Sequence, residues 1–109
     1  MSKYRAVRTN GYASKKEAAR AAELKLLERA GLIAELKEQV VFILAPSVVI
    51  QGRKRPALRY VADFEYMDKR KPMNEQLTIE DVKGAPLTPV YRIKRHLMMS
   101  VHGIEIYET

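Results

Sequence analysis

The feature that most restricts the fold is a short, uniformly apolar run, Val40-Val41-Phe42-Ile43-Leu44, stopped soon afterwards by Pro46. It is too short for a buried helix and rich in β-branched residues, so it reads as a buried strand. Helix patterns lie on either side of it in the chain. Ser14-Lys15-Lys16-Glu17 has the form of a capping box, and Ala/Leu/Lys/Glu-rich sequence follows to Ala30-Gly31, where Gly31 suits a C-terminal cap. Pro86 and Pro89 bracket a loop and the start of a second helix reaching about Ser100. Its Val90, Ile93, Leu97 and Val101 form an apolar stripe, with Arg92, Arg95 and His96 on the far side.

The remaining segments read as strands and turns. Val48-Val49-Ile50 precedes a turn at Gln51-Gly52-Arg53-Lys54, and Leu58 to Tyr66 is a longer strand. Met67 to Glu75 is a hydrophilic loop, Gln76 to Lys83 a strand ending at Gly84, and Ile104-Glu105-Ile106-Tyr107 alternates like an edge strand. Helix, three or four strands, helix, strand is the order of an α/β or α+β sandwich. With 109 residues the chain fits one domain: a basic flexible arm over residues 1–13 (Lys3, Arg5, Arg8), then the domain over residues 14–109.

The absence of cysteine excludes disulfide and thiolate–metal scaffolds and suits a reducing compartment. No apolar run approaches a signal core or a membrane span, so a cytoplasmic protein without membrane contact is expected. A formal charge of +7 favours a polyanionic partner, because neutralising phosphates releases counterions.

Three acids stand out against this background. In Ile79-Glu80-Asp81-Val82-Lys83-Gly84, strand alternation points Asp81 and Lys83 one way and Glu80 and Val82 the other. That places an acid beside an ammonium, as a metal site or as an exposed charge pair; a Glu80→Gln change should then leave the site working. Asp63 interrupts the apolar and aromatic strand Arg59 to Tyr66, where an acid must either pair with a cation or bind a metal. Glu17 lies near Ala21 and Leu24 on a helical projection, close enough to join a site, although the capping box explains it equally. Lys94 projects toward the apolar side of the second helix, to snorkel outward or to meet a phosphate. His96 and His102 have no partner at metal-ligand spacing and read as surface or structural residues.

Ser14-Lys15-Lys16-Glu17, Glu23-Leu24-Lys25-Leu26-Leu27, Gln39-Val40-Val41-Phe42, Tyr60-Val61-Ala62-Asp63-Phe64 and Glu80-Asp81-Val82-Lys83-Gly84 together resemble the PD-(D/E)xK nuclease superfamily. The nearest likeness is to small phage-encoded domains akin to restriction endonucleases and Holliday-junction resolvases. The resemblance covers Ser14 to Glu108, and Ala62 stands where proline usually precedes the first acid. It implies an αβββαβ core with a central mixed sheet flanked by helices, Mg²⁺ with Mn²⁺ able to substitute, and hydrolysis of DNA, including branched or recombination intermediates, by a homodimer. Asp63, Asp81 and Glu17 would hold metal, Lys83 would be the motif lysine, and Gln39 matches a polar position without an assigned role. Arg92, Lys94 and Arg95, with Lys15 and Lys16, are the cations expected on DNA. The rival expectation is an idle DNA-binding or phage structural domain that keeps the fold.

Overall fold

In the computed structural model of the chain, which describes residues 11–83 and 87–109, helix α1 runs over Lys15–Arg29 from the expected cap. Ser14 Oγ accepts the Glu17 N–H at 3.0 Å, and Gly31 takes the left-handed φ of 79° that lets the chain turn away. The buried face is Glu17, Ala21 and Leu24, the i, i+4, i+7 set anticipated from the projection. Most of the expected arm, together with Gly84 and Pro86, lies outside the described residues.

Among the described residues six strands follow in chain order: β1 (Ile33–Ala45), β2 (Val48–Ile50), β3 (Arg53–Arg55), β4 (Leu58–Asp68), β5 (Leu77–Asp81) and β6 (Tyr107–Glu108), with helix α2 (Pro89–His102) before β6. The main sheet has the order β1-β4-β5-β6, and β2 with β3 makes a separate hairpin. β1/β4 and β4/β5 are antiparallel while β5/β6 is parallel, so this α+β fold has an open mixed sheet. α1 closes one apolar cluster with Ile33, Phe64 and Tyr66. Met98 of α2 closes the other with Leu44, Tyr60, Ala62, Ile79 and Ile106. Among the described residues no helix is long and apolar enough to cross a membrane.

Five local expectations are corrected. The run Val40 to Leu44 is a strand but is not buried throughout, since Val41 and Ile43 are about half exposed and Leu44 is its buried member. β1 begins at Ile33, well before Val40, although Ala34-Glu35-Leu36-Lys37-Glu38 is helix-favouring. Pairing with β4 overrides that propensity, and a register shift between Ala34 and Lys37, with a positive φ of 56° at Glu35 inside it, absorbs the mismatch. The hydrophilic segment Met67 to Glu75 is not all loop: β4 continues to Asp68 and a 3₁₀ turn covers Met73–Glu75. β5 stops at Asp81, and the last strand is shifted to Tyr107–Glu108.

α2 is turned on its axis relative to the expected stripe. Val90 and Ile93 are 61% exposed and Val101 51%, whereas Met98 is buried and Tyr91 and Leu97 pack on the core. Arg95, expected outward, is half-buried and pairs with Glu108 at 3.2 Å. Tyr91 and Arg95 instead lay their apolar bodies toward the core while their polar tips share the Glu108 carboxylate.

Candidate functional site

Strand register builds the centre of the site. The antiparallel pairs Phe64↔Glu80 and Glu65↔Ile79, carried one residue on, set Asp63 opposite Asp81. The flanking pairs Glu38↔Phe64 and Val40↔Ala62 likewise set Gln39 opposite Asp63. Gln39, Asp63 and Asp81 thus stand in a rank across three strands. Directly opposed side chains have Cβ atoms about 4.5–5.5 Å apart, and like charges at that spacing destabilise a sheet. Burial, then the Asp81 carboxyl against it, pushes the Asp63 carboxyl up to about 7, with Glu17 adding to the shift. The Val82 N–H, donating to Asp63 Oδ2 at 2.8 Å, works in the other direction.

Glu17 enters from the first turn of α1. It is buried and accepts a hydrogen bond from Gln39 Nε2 at 3.1 Å. Gln39 holds a left-handed φ of 54°, and its partnership with Glu17 is the role the sequence left unassigned. Glu17, Gln39 and Asp63 line a cleft of about 410 Å³ together with Tyr12 and Glu38.

Lys83 closes the other side. Its ammonium pairs with Asp81 and sits 3.4 Å from the centroid of the Tyr91 ring, a cation–π contact. The Tyr91 hydroxyl donates to Glu108, so α2 and the C-terminal strand brace the ring that carries the ammonium. Lys16 donates to the Lys83 carbonyl oxygen, and Lys15 is exposed nearby on α1. Glu80 points elsewhere, as alternation requires. It is fully buried, held by Arg20 Nε at 2.6 Å, Arg20 Nη2 at 2.9 Å, Tyr66 at 2.7 Å and Thr109 at 3.1 Å.

The chain therefore brings Asp63, Asp81 and Lys83 together, with Glu17 at longer reach and Lys16 at the rim. Among the described residues no three His, Cys, Asp or Glu side chains are grouped tightly enough to enclose a cation by themselves. An acid pair supplemented by water and substrate phosphate is nonetheless a usual Mg²⁺ setting. The Tyr60 hydroxyl adds to the fit. It is buried beside the Asp81 carboxyl, which together with burial holds its proton on, yet no acceptor among the described residues meets it in good hydrogen-bond geometry. Arg92, Lys94 and Arg95 do not join the site. Arg92 and Arg95 line a separate groove of about 640 Å³ with His96 and Glu108, while Lys94 is half-buried on α2. Tyr60, Tyr91 and Glu108 were not singled out from the sequence, where they read as scattered strand and helix residues.

The raised Asp63 value has a measurable consequence. An acid shifted upward on folding keeps its proton in the native state while the unfolded chain has lost it. Its contribution is therefore neutral below its ordinary 3.8, and it increasingly destabilises as pH rises through the interval up to about 7. In EDTA, the melting temperature of Asp63→Asn should gain on that of the parent as pH rises from about 5 to about 8. Equal pH profiles for the two proteins would show that the fold does not hold Asp63 protonated.

The family model described as "Protein of unknown function (DUF1064)" matches residues 1–106, and the chain belongs to that family. No curated protein and no solved structure matches the chain.

Proposed function

For this member of the DUF1064 family, we propose metal-dependent hydrolysis of DNA phosphodiester bonds, branched or recombination intermediates included, by a PD-(D/E)xK-type endonuclease. The observation that carries the reading is the facing pair Asp63 and Asp81 with Lys83 locked beside it. Two opposed carboxylates cost stability in a sheet and are accounted for if a cation replaces the proton between them. With the β2–β3 hairpin set aside, helix, three strands, helix, strand is also the order of an αβββαβ core.

Asp63 and Asp81 would hold Mg²⁺, and Glu17, steadied by Gln39, would reach it through water. The bound ion would polarise the scissile phosphate and favour hydroxide over water. Asp81 and the Tyr91 ring hold the Lys83 ammonium, which would stabilise the charge that builds on the phosphate oxygens. Tyr60 faces Asp81 with a hydroxyl able to donate to a water on the ion.

Linear, nicked and four-way-junction DNA incubated with Mg²⁺, Mn²⁺ or EDTA tests the reading. Cleavage should require metal, and Mn²⁺ should serve at least as well as Mg²⁺ because it tolerates less regular coordination. Undiminished cleavage in excess EDTA would remove the metal from the mechanism.

A further inference from the structure

The β2–β3 hairpin takes no part in either apolar cluster, and all six of its strand residues are exposed. Its two-residue turn, Gln51 at φ 51° and Gly52 at φ 77°, has the paired positive φ that gives a twisted ribbon. A lone two-stranded ribbon is marginal in water, yet this one also exposes Val48, Val49 and Ile50 by about half or more. Opposite them run Arg53, Lys54 and Arg55, in the register Val48↔Arg55, Val49↔Lys54 and Ile50↔Arg53. Arg53 and Arg55 therefore share a face with Val48 and Ile50, and Lys54 faces the other way. Among the described residues none of the three cations is in an ion pair, and from Gln39 to Ala62 the sequence has no Asp or Glu.

We infer that this ribbon is an arm that lies in a groove of duplex DNA flanking the acid pair; the inference rests on the DNA-cleaving reading above. The major groove admits a two-stranded ribbon, Arg suits phosphate, and exposed aliphatic groups suit thymine methyls. Reach is consistent. The chain from Arg53 to Asp63 spans at most about 36 Å fully extended, roughly the rise of ten to eleven base pairs at 3.4 Å each. A duplex seated on the acid pair therefore passes within the arm's range. An anionic membrane or an acidic protein surface would want the same charges, but neither calls for a ribbon of groove width.

The test is fluorescence polarisation with a duplex of roughly 30 base pairs in EDTA, over a range of salt, comparing the parent with Arg53→Ala/Lys54→Ala/Arg55→Ala. The triple variant should bind about tenfold or more weakly at low salt, and its log–log salt slope should be shallower by about two to three units. Its metal-dependent cleavage at saturating DNA should stay within about twofold of the parent, because the arm is not in the site. Arg53→Lys with Arg55→Lys should keep the slope, and Lys54→Ala alone should lower it by about one unit even if the triple variant folds poorly. Equal affinity and slope for parent and triple variant overturns the inference and leaves the cleavage reading standing. Ribbon-dependent binding to phosphatidylglycerol vesicles, with no ribbon dependence on duplex, also overturns it. A parent that binds no linear duplex overturns the arm, and one that binds neither duplex nor four-way junction overturns both. Ribbon-dependent binding by a parent that never cleaves supports the arm and sinks the nuclease.

Discussion

Asp81→Asn is expected to lower metal-dependent DNA cleavage by about a thousandfold or more, while duplex binding survives. The substitution keeps the shape but removes half of the carboxylate pair. A metal contributes several kcal/mol to such a transition state, and each 1.36 kcal/mol is a factor of ten. Binding should hold or tighten, since one carboxylate that repels the phosphate is gone. The fold should persist, because an Asn amide can donate to Asp63 where Asp81 now opposes it. Polarisation, single-turnover cleavage and a melting curve on the same preparation separate these effects. Cleavage retained within about tenfold would mean that Asp81 holds no metal.

Arg20→Ala should have the largest effect on stability. It strips the guanidinium from Glu80, which is 0% exposed and keeps only the Tyr66 and Thr109 hydroxyls as donors among its side-chain partners. Removing one member of a buried pair costs about 3–5 kcal/mol, or roughly 10–20 °C or more in melting temperature for a domain of this size. The double change Arg20→Met/Glu80→Leu should recover much of that loss, because no charge is left buried. Thermal melts of both variants decide the point, and a shift of only about 2 °C for Arg20→Ala would show that Glu80 is satisfied without it. Glu80→Gln, which alternation alone marks as harmless, is accordingly a stability variant. Its activity has to be read beside its melting curve.

The legible parts of the chain were those written in local chemistry. Ser14 and Gly31 fixed the limits of α1, and the alternation at Glu80-Asp81-Val82-Lys83 separated the two acids correctly. The illegible parts depended on partners distant in sequence. β1 before Val40 exists because β4 offers it a ladder, and nothing in Ala34 to Glu38 announces that. The aliphatic stripe of α2 points to the wrong buried face, because the packing of Tyr91 and Arg95 depends on Glu108 at the far end of the chain. The family likeness marks Gln39 as a polar position, but its contact with Glu17 follows from sheet register, and Tyr60 joins the site through burial, which no short motif carries. Asp63 was conspicuous as a carboxylate in an apolar strand, but only pairing with β5 showed what it faces.

The central claim is that Asp63 and Asp81 hold a divalent cation, and calorimetric titration of Mn²⁺ into the metal-free protein with bound duplex DNA tests it most directly. At a pH of about 7 the parent should take up Mn²⁺ saturably and release a proton, seen as a dependence of the heat on buffer ionisation enthalpy, because the Asp63 carboxyl sits at about 7 before the ion arrives. Asp63→Asn/Asp81→Asn should show neither the saturable uptake nor the proton release. Absence of saturable uptake by the parent, or equal uptake by the double variant, would contradict the claim.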